Sequence, residues 1–144
     1  DYTQNNSPGT FGAWILCGSG SGSGSVYKEL WYDDSCGNKK MYNYANECRL
    51  HNDGVGGAWV FSGTVLYHVN GTREHAVSPF PSNSRFVSDG KGGIWALCPE
   101  DGEVNYILKH VKINRQLELY QYPKTSRMYA DGNGGVFVSC NVSG

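Results

Sequence analysis

Asp89-Gly90-Lys91-Gly92-Gly93-Ile94-Trp95-Ala96 is the stretch of this 144-residue chain that decides the fold. It recurs as Asp53-Gly54-Val55-Gly56-Gly57-Ala58-Trp59-Val60 and as Asp131-Gly132-Asn133-Gly134-Gly135-Val136-Phe137-Val138, and in shortened form as Gly12-Ala13-Trp14-Ile15. The four aromatics are spaced by 45, 36 and 42 residues. Self-similarity at that period marks a repeat protein whose unit is a small antiparallel sheet rather than a helix pair. Each aspartate can accept nearby backbone N–H bonds and the glycines supply positive φ without steric cost, so each of the three copies with Asp-Gly reads as a tight hairpin turn. The strand that follows places its aromatic in the space between neighbouring sheets.

The surroundings of the motif repeat as well. Arg49, Arg85 and Arg127 stand at one place in the short strand that enters each turn. Downstream, residues 64–69 turn at Asn70-Gly71, a strong hairpin signal, into residues 74–77, and residues 106–113 followed by 117–122 repeat the plan. Residues 26–32 and 39–44 supply the same pair in the first unit. The chain is therefore expected to be all-β, a single β-propeller-type repeat domain over 1–144. About three four-stranded antiparallel blades, at roughly 1–47, 48–83 and 84–125, are followed by a half blade at 126–144. A closed propeller needs at least about four blades, so the half blade is expected to be completed from outside, by another copy in a ring or fibre or by further sequence.

The run Arg85-Phe86-Val87-Ser88-Asp89-Gly90-Lys91-Gly92-Gly93-Ile94-Trp95-Ala96-Leu97 with Tyr106-Ile107 resembles the tectonin-type repeat and the propeller repeats of bacterial two-component sensor domains. The resemblance implies a β-propeller and, from the tectonin side, a secreted or surface lectin. Two departures mark its edges: Phe137 stands where the other copies have Trp, and residues 7–12 replace the Asp-Gly turn in the first copy.

Composition narrows the function classes. Twenty Gly and 13% aromatics, ten of them Tyr, suit short strands and tight turns and leave little material for helix. Twelve Lys plus Arg against thirteen Asp plus Glu give a formal charge of −1, with no basic stripe for nucleic acid. No apolar stretch is long enough to span a bilayer, and the start at Asp1 without Met or an apolar signal core suggests a processed or trimmed product. Glycosylation triplets at Asn5, Asn70 and Asn141, together with five Cys, point to a secreted glycoprotein. Residues 18–25 alternate Gly and Ser as a flexible linker would.

No motif for a nucleophile elbow, a Walker loop or a zinc protease is present, and the glycine-rich turns lack the helix a phosphate cradle needs. The chain is expected to be no enzyme and to use no metal or cofactor. His68 and His110 occupy matching strand positions and read as scaffold. The three arginines read first as structural; were they to line an axis, they would bind anions. Cys17 and Cys48 are the expected disulfide, level with each other at a sheet boundary, with Cys36 to Cys48 as the competitor. For recognition, Trp31, Tyr32, Asp33, Tyr42 and Tyr44 combine flat aromatic faces with polar acceptors, the materials that stack on sugars, although alternation along a strand would also send half of them into the core. The resulting expectation is a non-catalytic, lectin-like binder of carbohydrate or protein. The alternatives are a structural protein that assembles through its incomplete blade and a fragment of a larger propeller enzyme.

Overall fold

The architecture comes from a computed structural model that describes residues 2–6, 12–18, 27–34, 37–45, 47–100 and 104–140. These residues form fourteen strands and no helix. The first sheet holds β1 (Tyr2–Asn6), β2 (Gly12–Gly18), β3 (Tyr27–Asp34) and β4 (Gly37–Ala45). The second holds β5 (Cys48–Asn52), β6 (Ala58–Ser62), β7 (Val65–Asn70) and β8 (Arg73–Pro79). The third holds β9 (Arg85–Ser88), β10 (Ile94–Pro99), β11 (Asn105–Lys112) and β12 (Arg115–Pro123). The fourth has two strands among the described residues, β13 (Arg127–Ala130) and β14 (Val136–Ser139). Every pairing is antiparallel and between strands consecutive in sequence, so each sheet is a simple meander.

Alternation along the second strand of each sheet explains how the sheets stack. In β6, Ala58 and Val60 face the first sheet while Trp59 and Phe61 face the third, and all four are buried. Three apolar layers result. Trp14, Leu16, Leu30 and Tyr44 meet Leu50, Val60 and Val69. Trp59, Phe61 and Leu66 meet Phe86, Ile94 and Cys98. Leu97, Tyr106 and Leu108 meet Met128, Val136 and Val138. Each large side chain taken from water in this way contributes about 1.5–3 kcal/mol, so the stack is held sheet against sheet. β14 breaks the rule: Val136 and Val138 are half-buried against the third sheet, whereas Phe137 is 66% exposed.

The first strands of successive sheets also approach one another, β1 to β5, β5 to β9 and β9 to β13. Each complete sheet carries a bulge at one equivalent place. Met41 is the extra residue between Lys40 and Tyr42, Val77 is the extra residue between Ala76 and Ser78, and in the third sheet Leu119 and Tyr120 together oppose Leu108. Residues 19–26, the body of the Gly-Ser run, and residues 7–11, the variant first turn, lie outside the described residues.

Candidate functional site

One constellation recurs at the three Asp-Gly turns. Asp53 Oδ1 accepts the N–H groups of Val55 and Gly57, both at 2.8 Å. Asp89 Oδ1 accepts those of Lys91 at 2.7 Å and Gly93 at 2.8 Å, and Asp131 Oδ1 those of Asn133 at 2.6 Å and Gly135 at 2.9 Å. The carboxylate thus closes its own loop, with Gly54 and Gly56 at positive φ. The second oxygen reaches across the sheet: His68 Nε2 donates to Asp53 Oδ2 and His110 Nε2 to Asp89 Oδ2, each at 2.8 Å. Each imidazole in turn packs on the motif indole opposite it, with ring centroids 4.6 Å apart for Trp59 and His68 and 4.3 Å for Trp95 and His110. In the first sheet Tyr32 takes the imidazole's place against Trp14, at 4.8 Å. Burial works against the Asp53 carboxylate, but the His68 bond and the two backbone N–H groups outweigh it and hold its pKa below the ordinary value.

The indole then locks its sheet to the next. Trp14 Nε1–H donates to Gly56 O at 3.1 Å, Trp59 Nε1–H to Gly92 O at 3.2 Å and Trp95 Nε1–H to Gly134 O at 3.1 Å. In all three the acceptor is the same glycine of the following turn. A second clamp comes from the repeated arginine. Arg49 donates to the carbonyls of Ser82 and Ser84, and Arg85 to those of Lys124 and Ser126, in each case just ahead of the following sheet's first strand. Arg49 also lies over the Phe61 ring and Arg85 over Tyr106. Arg49 and Arg85 are thereby tied to backbone of the following sheet.

The outer strands add a third tie. Tyr42 donates its hydroxyl to Thr72 O at 2.7 Å, and Tyr44 donates to Glu74 Oε2 at 2.6 Å, so two tyrosines of β4 grip the β7–β8 hairpin of the second sheet. Burial, reinforced by Glu74, drives the Tyr44 pKa far up and keeps the phenol a donor. These are two of the five residues expected to meet a sugar, and both hydroxyls bond to the neighbouring sheet. Tyr32 stacks on Trp14 within the same layer. Trp31 stands on the opposite face, paired with Ile15 and half-buried, and Asp33 is exposed. The five side chains are therefore divided between the two faces of the first sheet.

The other expected residues fall as follows. Asn70 is exposed at the end of β7, Asn5 lies in β1 opposite Trp14, and Asn141 lies outside the described residues, as does Cys36. The expected Cys17–Cys48 disulfide is not formed: both are free thiols, as are Cys98 and Cys140. The reason is alternation. Cys48 lies in the layer between the first and second sheets, beside Leu16 and Trp14, whereas Cys17 follows Leu16 and points to the other face of its sheet. His51 is the one histidine with a buried ring nitrogen, Nε2, that has no hydrogen-bond partner; burial, with Arg49 nearby, lowers its pKa to about 4.

Among the described residues no group of three or more His, Cys, Asp or Glu side chains could hold a metal ion, and no helix is long and apolar enough to cross a membrane. The Asp–His–Trp arrangement places a base beside an acid, but one oxygen of the acid is engaged in the turn and the other by the imidazole, which itself lies against an indole. Such a group orients backbone rather than presenting a nucleophile. No family model matches the chain, and no curated protein or solved structure matches it.

Proposed function

We propose that the chain is a non-catalytic repeat protein of the β-propeller type that works by binding and assembly. Its fourth sheet is completed by strands from outside the described residues, most simply from another copy, so that sheets continue into a ring or fibre. One observation carries this reading. Every described sheet boundary is fastened by the same indole-to-glycine bond, while the free side of the fourth sheet leaves Tyr129 and Phe137 exposed, the latter at the motif position but without an N–H to donate. An exposed apolar sheet face with an unpaired edge is a docking surface by default.

The test is the mass of the native particle. Assembly predicts multiples of 15.8 kDa that persist on dilution through the micromolar range. A single 15.8 kDa species under those conditions sinks the proposal. The chain is further read as a secreted glycoprotein. Asn70 supports this, because it is exposed at the tight turn that joins β7 to β8. Treatment of secreted material with an amidase that removes N-linked glycan should lower its mass. The lectin reading keeps Trp31 and Asp33 as its accessible residues, and a glycan array without signal removes it.

A further inference from the structure

The open fourth sheet carries a chemical description of what completes it. In the second and third sheets, the turn aspartate receives an imidazole from the third strand, and that imidazole covers the motif aromatic. In the fourth sheet Asp131 closes its turn with Oδ1 as the others do, yet the carboxylate is exposed and the aromatic opposite, Phe137, is bare. A third strand pairing with β14 in the common register would set one residue against Phe137. In the second and third sheets that residue is histidine.

The third sheet supplies the other half of the description. Bulge register makes Tyr120 and Tyr122 the equivalents of Tyr42 and Tyr44, and Leu119 the equivalent of Met41 and Val77. Met41 and Val77 are partly buried against the following sheet, and the two β4 tyrosines bond to the following sheet's outer hairpin. Leu119 is 44% exposed and Tyr120 is 68% exposed. The third sheet thus presents the surface that grips β7–β8 two boundaries earlier, with Tyr122 half-buried against the layer around Met128 and with Leu119 and Tyr120 uncovered among the described residues.

We infer that the surface formed by β14, Asp131, Leu119, Tyr120 and Tyr122 is a docking site for a β-hairpin of the β7–β8 kind. Such a hairpin adds to β14 through its backbone. It places an imidazole on Asp131 and over Phe137, offers a turn carbonyl to Tyr120, and offers a carboxylate to Tyr122. The argument is continuity with the established boundary between the first and second sheets, matched residue for residue. It rests on the assembly reading only in taking the fourth sheet as open, and it specifies the occupant's chemistry whichever chain provides it.

The probe is a synthetic peptide of residues 64–79, which contains β7, its Asn70-Gly71 turn and β8 with Glu74 and His68 in place. Native mass spectrometry and calorimetry of the whole chain with this peptide should show one peptide per chain, bound to a free chain or displacing a neighbouring copy. Asp131→Asn in the protein, or His68→Ala in the peptide, should each weaken binding about tenfold, as loss of a charged hydrogen bond does. The two together should weaken it little more than either alone. The peptide change leaves the protein intact, so a failure of the Asp131 variant to fold does not blunt the test. No uptake at millimolar peptide, or uptake indifferent to the histidine, overturns the inference. The mass of the chain before peptide is added reports separately on self-assembly. An oligomer that takes up no peptide overturns this inference alone, and a monomer that binds the peptide supports it while removing the assembly reading.

Discussion

Replacing Trp59 with phenylalanine removes one indole bond from the centre of the stack together with part of a buried ring. The indole is fully buried, and its Nε1–H donates to Gly92 O at 3.2 Å across the boundary between the second and third sheets. Loss of the bond costs about 1 kcal/mol net, with Gly92 left short of a donor. The space vacated by the smaller ring adds roughly 1–2 kcal/mol, below the 3–5 kcal/mol typical of deleting a large aromatic entirely. A total of about 2–3 kcal/mol should lower the midpoint of thermal unfolding by about 4–12 °C for a domain of this size. Circular dichroism in a urea series would read it, with the slope unchanged. The control is built into the repeat. Phe137→Trp makes the opposite exchange at the equivalent place, where the side chain is 66% exposed and no following turn is described, and it should move stability by less than about 0.5 kcal/mol. If Trp59→Phe proves as mild as Phe137→Trp, the indole bond is not what fastens the sheets.

Three further outcomes follow from the geometry. Gly54→Ala should destabilise by more than about 3 kcal/mol, because Gly54 has a φ of 82° and a methyl there would collide with the Gly90 carbonyl of the neighbouring turn; denaturant unfolding reads it. Acid should weaken the fold through His51, whose pKa falls from its ordinary value of 6.5 to about 4. The folded state thus refuses a proton that the unfolded chain accepts, so stability is complete above pH 6.5 and is lost progressively down to about pH 4; His51→Phe should flatten that slope in urea titrations across the window. Cys48 and Cys98, buried and with thiol pKa values raised by burial, should alkylate far more slowly in the native protein than Cys17 and Cys140, and peptide mapping after timed iodoacetamide treatment reads the order.

The local chemistry of the motif was readable in the sequence because its parts are adjacent: Asp89 through Gly93 make a turn among themselves, and the meander follows from where strands and turns alternate. What the sequence hid depends on register between strands. His68 and His110 stood out as matching positions, but their partners Asp53 and Asp89 lie 15 and 21 residues away and become neighbours only when the third strand pairs with the second. A histidine opposite each motif tryptophan was the available signal. Tyr42 and Tyr44 read as candidate sugar platforms because an isolated strand does not reveal which face the next sheet covers. Their equivalence to Tyr120 and Tyr122 was masked by the bulge, which breaks the period of two. Cys17 and Cys48 read as level along the sheets, but face alternation turns Cys17 away from the layer that holds Cys48. The arginines, read as structural or axial, proved at Arg49 and Arg85 to be clamps on carbonyls that no side-chain pattern announces.

The indole-to-glycine bond joins each turn only to the sheet before it, and the acceptor is a backbone oxygen present in every copy. A fastening of that kind is blind to which unit supplies it. Excision of residues 84–125 would leave Trp59 to find Gly134, and Arg49 to keep Ser82 and find Ser126 in place of Ser84, partners of the same type that their own neighbours offered. The shortened chain should therefore still fold with a renewed seam, which heteronuclear NMR dispersion can establish. A gene for such a protein can lengthen or contract by whole units without any single joint having to be reinvented.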